Sequence, residues 1–155
     1  MDNKIKSKTR LAIIQYIFLV LSRKSDDSNN IKEEFDNYFH GKTFSNISDN
    51  DVFEISYNKI FFSKLTNNFN KFYKKEDVSK NLNKIIDFER KFEKWDLINK
   101  AIIISILSEL SFTVKEKTKI VLNDYLNVSK NFIPINEVKM INAVVDKYLN
   151  DKQIL

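Results

Sequence analysis

The sequence predicts an all-α fold, a compact helical bundle of about seven helices, and three observations carry that prediction. Apolar residues recur at steps of three and four along most of the chain. The 155 residues include one Gly and one Pro, which leaves few places for left-handed turns and favours helices joined by Asn, Asp and Ser loops over sheets. Finally, the segment from Ala101 to Leu107 is apolar on every side yet far shorter than the roughly 20 apolar residues of a membrane span, so it belongs at the centre of a bundle. Heavy use of Lys, Asn, Ile and Phe matches an AT-rich coding bias, which also suppresses Gly and Pro, so periodicity carries more weight than those two counts. With 43% apolar residues, the chain suits one domain over 1–155, or two small helical subdomains sharing a core.

The first helix is expected from Ile5 to Leu21, a basic start followed by an apolar run. That pattern has the outline of a signal peptide, but Gln15 interrupts the run, Arg23 and Lys24 follow it, and no Ala-x-Ala is present. A core helix in a cytoplasmic protein is therefore expected. After a polar loop, Ser25 to Asn30, the pair Asn30 and Glu33 offers a capping box for a second helix, Ile31 to His40, ended by Gly41. Ser48 and Asp51 offer another cap for a long third helix. Along it Val52, Ile55, Ile60, Phe61, Leu65, Phe69, Phe72 and Tyr73 keep helical spacing to about Lys74. Asp77 can cap a fourth helix built on Val78, Leu82, Ile85, Ile86 and Phe88. A fifth, Phe92 to Leu110, carries Trp95 and the apolar segment. In the sixth, Ile120, Val121, Tyr125, Val128 and Phe132 form an inward stripe while Lys119, Asn123, Asn127 and Lys130 face away. Past a break at Pro134, Val138, Ile141, Val144, Val145 and Tyr148 repeat the pattern, with Asn136, Lys139, Asn142 and Lys147 on the other side. No sustained strand alternation and no internal repeat is visible.

Composition narrows the function. The chain has no Cys and one His, which removes thiol nucleophiles, thiolate metal sites and His-pair relays. No catalytic residue, metal or cofactor is expected. His40 reads as a helix C-terminal cation beside Gly41. A net charge of +5 suits an anionic partner without demanding one. Phe61, Phe69 and Phe72, at helical spacing, read as core residues rather than base-stacking platforms.

The last third carries a more specific signal. Its skeleton, KAII...L.EL, then KIVLND.L..SK.F, then K.INAVVDK, runs through Lys100, Ala101, Leu107, Glu109, Leu110, Lys119, Asn123, Asp124, Lys130, Phe132, Lys139, Asn142, Val144, Asp146 and Lys147 without insertion. It resembles the C-terminal half of the NusB family of bacterial transcription antitermination factors. Arg10, Gln15 and Phe18 are similar to the family's opening pattern. The resemblance implies a NusB-like fold of two helical subdomains sharing a core. It also implies a non-enzymatic adaptor that binds boxA RNA of ribosomal RNA leaders, together with a small-subunit ribosomal protein, NusE, within the RNA polymerase antitermination complex.

Candidate site residues follow from that resemblance. Lys4, Lys6, Lys8 and Arg10 stand where the family has an arginine-rich arm that contacts RNA. Alternate spacing cannot put all four on one helical face, so a flexible arm leading into the first helix is expected; by composition alone, a solvated tail is the alternative. Asn136, Lys139, Met140 and Asn142 at the opening of the last helix resemble positions lining the RNA surface, although many family members have an aromatic where Met140 stands. Asn142 reads equally well as a residue that caps or bridges helices, and Met140 as one that fills the core. Gln15 is either a satisfied core amide or a support for the RNA face. Glu89, Glu93 and Asn99, flanking Trp95, correspond to the acidic edge that meets the ribosomal protein, with Asn99 replacing a family Glu. A homodimer is left open. The runner-up functions are a module related to the N-terminal part of rRNA cytosine methyltransferases, and a helical protein-interaction adaptor with weakened or lost RNA binding.

Overall fold

The computed structural model describes residues 1–23, 28–39, 42–48 and 51–152. Among them are seven α-helices, as the sequence predicts: α1 (Asn3–Ser22), α2 (Ser28–Phe39), α3 (Lys59–Lys75), α4 (Val78–Ile85), α5 (Leu97–Leu110), α6 (Thr118–Ser129) and α7 (Ile135–Asp151). A 3-10 turn, Phe92–Lys94, precedes α5, and a second, Lys115–Lys117, leads into α6. Between α2 and α3 lies a feature the periodicity missed, an antiparallel hairpin of β1 (Lys42–Ser48) and β2 (Asp51–Ser56), in register from Lys42 opposite Ser56 to Asn46 opposite Val52. Ser48 and Asp51 therefore cap no helix, and α3 begins eight residues beyond Asp51. Val52 and Ile55 match a helical step of three, but Thr43, Phe44, Ile47, Val52, Phe53 and Ile55 are β-branched or aromatic, which favours strands.

Local chemistry fixes the helix starts. Asp2 caps α1 by accepting from the Ile5 N–H at 2.9 Å, Asn58 caps α3 through the Phe61 N–H at 2.8 Å, and Asp77 caps α4 through the Lys80 N–H at 3.1 Å. Each side-chain oxygen satisfies one of the orphan donors of a first turn. Asn30 lies inside α2 rather than at its cap. The expected ends of that helix at His40 and Gly41, and residues 24–27 of the expected loop, lie outside the described residues.

One hydrophobic cluster joins the helices. At its centre is α5, in which every residue from Ala101 to Leu110 is buried, so Ser105 and Ser108 return their hydroxyls to the carbonyls of Ala101 and Ile104 at 2.6 Å. Against it pack α1, α3, α6 and α7. Tyr16 makes edge-to-face pairs with Phe35, Phe62 and Phe69, their ring centres 5.9, 5.6 and 6.3 Å apart. Phe69 and Phe72 are buried and Phe61 is half-buried, in line with their assignment to packing. In α6 the inward stripe is Val121, Leu122, Tyr125 and Val128. Ile120 leaves that stripe: it is 69% exposed, because one residue of helical rotation turns it away from Val121. The apolar run of α1 is interior as far as Ile17 while Phe18 is exposed, and among the described residues no helix is long and apolar enough to cross a membrane.

Candidate nucleic-acid interface

The basic start of the chain is not a loose arm. Lys4 to Arg10 lie within α1, and the helix sorts the four cations by its own geometry. Lys4 and Lys8, four apart, share one exposed face, whereas Lys6 and Arg10 turn toward α3 and the end of α5. Thr9 locks the helix in place, its hydroxyl donating to the Ile5 carbonyl at 2.7 Å and accepting the Asn58 N–H at 3.0 Å.

Arg10 has a structural post. Only 8% exposed, its Nε donates to Glu109 Oε2 at 2.9 Å, its Nη2 to Glu109 Oε1 at 3.2 Å and its Nη1 to Asp124 Oδ2 at 2.7 Å. The guanidinium carbon stands 5.4 Å from the Phe61 ring centre and 5.6 Å from that of Tyr125. Burial works against its charge, but the hydrogen bonds and fields of the two carboxylates outweigh that and hold its pKa above the ordinary value. Tyr125 is pushed up by burial first and by Glu109 next; its hydroxyl lies beside Glu109 without good hydrogen-bond geometry. The expectation that Arg10 reaches RNA is thus corrected: its fork is committed to two carboxylates inside the protein. Gln15, also in α1, is half-buried.

At the other end of the chain, Asn136 and Lys139 are exposed in the first two turns of α7, and Asn142 is half-buried. Met140 packs against the core, and its sulfur accepts from Arg90 Nη2 at 3.3 Å while the same nitrogen meets Glu137 at 3.1 Å. Arg90 therefore covers the thioether that a base would have to meet. Helix α6 packs on both α1 and α7 and presents Lys119, Asn123, Asn127 and Lys130 to solvent. A hollow of about 280 Å³ on the α1–α6 seam is lined by Asn3, Ser7, Ile120, Asn123 and Asn127, and its carboxylate, Asp124, is already bonded by Arg10 and Ser7.

The expected partner edge divides. Glu89 and Glu93 are exposed. The Glu93 carboxylate accepts from Ser79 and, at 2.7 Å, from Asn83, and the Ser79 bond above all holds its pKa below the usual range. Trp95 is buried, donating its indole N–H to the Arg90 carbonyl at 3.1 Å. Asn99 is not on that edge: it is 1% exposed, and neither amide atom has a hydrogen-bond partner among the described residues. Helical rotation places it on the inner face of α5, where a family carboxylate would have to find another setting.

Two curated relatives align along nearly the whole chain. A protein named transcription antitermination protein NusB from Rickettsia massiliae (strain Mtu5) is 23% identical over 155 residues, spanning 94% of this chain and 93% of the relative. A protein of the same name from Rickettsia akari (strain Hartford) is 24% identical over 160 residues, spanning 97% and 96%. The chain is thus similar, over nearly its whole length, to proteins named as NusB antitermination factors. No family model and no solved structure matches it.

The residues that sequence reasoning left without a role are Glu109 and Asp124. Both stood in the matched skeleton. A signal was present, since a carboxylate closing an otherwise all-apolar helix has to meet a cation, and Arg10 is the cation that the family's opening pattern supplies.

Proposed function

We propose that this chain is a transcription antitermination factor, a single NusB-like domain over 1–155 that binds boxA RNA of ribosomal RNA operon leaders together with NusE. It would act in the cytoplasm as a non-enzymatic adaptor, keeping the leader transcript beside RNA polymerase. The observation that carries this reading is the full-length similarity to two proteins named as antitermination factors. The geometry adds a plausible track. Lys4 and Lys8 supply charge at one end, the amides of Asn3, Asn123 and Asn127 line the α1–α6 seam, and Lys139 and Asn136 stand exposed at the start of α7. Lysines neutralise phosphate without the bidentate fork of arginine, so selectivity in this reading rests on amides and on the partner. Glu89 and Glu93 are the acidic pair offered to the basic ribosomal protein.

The test is retardation of a boxA RNA with and without NusE over a range of salt. If Lys4, Lys8 and Lys139 each meet a phosphate, the log-log slope is about −2. The triple change Lys4→Glu, Lys8→Glu and Lys139→Glu should weaken the complex without lowering thermal stability. Equal affinity for a scrambled RNA removes the specific function. Absence of binding in every condition favours the second reading, a NusB-like interaction adaptor without RNA affinity, for which the internal commitment of Arg10 and the covering of Met140 by Arg90 are the motivating observations.

A further inference from the structure

A second surface lies where the start of α1, the start of α3 and the connection from α5 to α6 meet. These elements enclose an open cleft of about 430 Å³. Its walls hold Met1, Ile60, Phe112 and Val114, four of the eight large apolar side chains exposed among the described residues. Ile60 is 84% exposed. Scattered exposed apolar residues are ordinary, but a cluster ringed by charge marks a surface that another macromolecule covers.

Charge narrows the occupant. Lys6, Lys64 and Lys117 stand around the apolar walls, and among the described residues none of them makes an ion pair. The carboxylate in the cleft, Glu109, is bound to Arg10, so the rim is left uncompensated. An isologous pairing of two copies through this face would set lysine rim against lysine rim, which disfavours a dimer here. Single-stranded RNA would want flat aromatic platforms. The walls are instead mostly aliphatic, and the exposed aromatic among them, Phe112, already has Lys71 Nζ at 6.0 Å from its ring centre.

We propose that this cleft docks an acidic amphipathic segment of a protein partner. Its apolar side chains would seat between Ile60, Phe112 and Val114, and its carboxylates would meet Lys6, Lys64 and Lys117. That division, an apolar anchor inside a charged rim, is how helix-in-groove recognition separates affinity from orientation.

The probe is a fluorescein-labelled peptide of about 14 residues with Leu and Phe at helical spacing and Glu and Asp elsewhere. Fluorescence anisotropy with the full chain should show saturable binding. Amide NMR shifts should gather at residues 60–64 and 112–117. Ile60→Glu alone, and Lys64→Glu with Lys117→Glu, should each weaken the peptide roughly tenfold or more at an unchanged melting temperature. Neither change touches the residues assigned above to RNA, so retardation of boxA RNA by these variants should stay as in the parent, and failure of one reading leaves the other distinguishable. The proposal is overturned if the peptide does not bind saturably, if a sequence-scrambled peptide binds as well, or if the substitutions leave affinity unchanged. It is also overturned if a single-stranded RNA dodecamer displaces the peptide and loses affinity for Lys64→Glu with Lys117→Glu. Sedimentation of a dimer that Ile60→Glu dissolves would overturn it as well, in favour of self-association.

Discussion

Replacing Arg10 by Met keeps an unbranched stem between Phe61 and Tyr125 but removes the cation that Glu109 and Asp124 share. The two carboxylates are not equally harmed. Asp124 retains 20% side-chain exposure and the Ser7 hydroxyl, whereas the Glu109 side chain is 8% exposed. Stranding a buried charge costs about 3–5 kcal/mol. For a chain of this size each kcal/mol moves the melting temperature by about 2–4 °C, so a fall of ~6–20 °C is expected. Urea unfolding followed by circular dichroism gives the free energy directly. The double variant Arg10→Met with Glu109→Leu should recover most of the loss, because replacing a buried pair by apolar groups is often neutral. The reasoning fails if Arg10→Met costs less than about 1 kcal/mol, or if it leaves stability untouched while abolishing RNA binding.

Other outcomes follow from the same structure. Phe69→Ala, at a position closed by Tyr16 and Tyr73, should cost about 3–5 kcal/mol by denaturant unfolding; a stable variant that loses RNA affinity would instead make Phe69 a binding residue. Asn99→Leu removes a buried amide that has no hydrogen-bond partner among the described residues, so its unfolding free energy should be unchanged or higher by about 1–2 kcal/mol, and a clear loss would reveal a hidden partner. Burial raises the Tyr16 and Tyr148 phenols to about 12. Since a raised folded pKa favours the native state only while the phenol stays neutral, that contribution is complete below about pH 10 and is lost as pH climbs toward 12. Absorbance titration at 295 nm should therefore resolve late-ionising tyrosines, and simultaneous titration of all six near pH 10 would contradict the burial argument.

Most of the helical frame was legible because burial imposes a period. The stripes Val121, Tyr125, Val128 and Val138, Ile141, Val145, and the all-apolar α5, follow from the 3.6-residue turn alone. The hairpin was not, since Val52 and Ile55 match a helical step of three and so merge with the pattern of the helix that follows. At the site, spacing argued correctly that four alternating cations cannot share a helical face, but the helix resolves this by turning Lys6 and Arg10 inward rather than by unwinding. Whether a basic residue meets solvent or an internal carboxylate depends on a partner 99 or 114 positions away, a relation that local pattern does not carry. Asn99 was misplaced for a similar reason. It stands between Ile98 and Lys100, and about half a turn of helix separates an outer edge from the core.

The ion cluster joins the first helix to two helices from the last third of the chain, and this has a bearing on biosynthesis. During translation α1 emerges with Leu11, Ile13, Ile14 and Ile17 long before the ribosome has made Glu109 and Asp124. Closing so long a loop is slow and is rewarded only at the end, so the nascent chain carries a bare greasy helix through most of its synthesis. Trigger-type holdases, low growth temperature or early capture by a partner would each be expected to raise the yield of native protein.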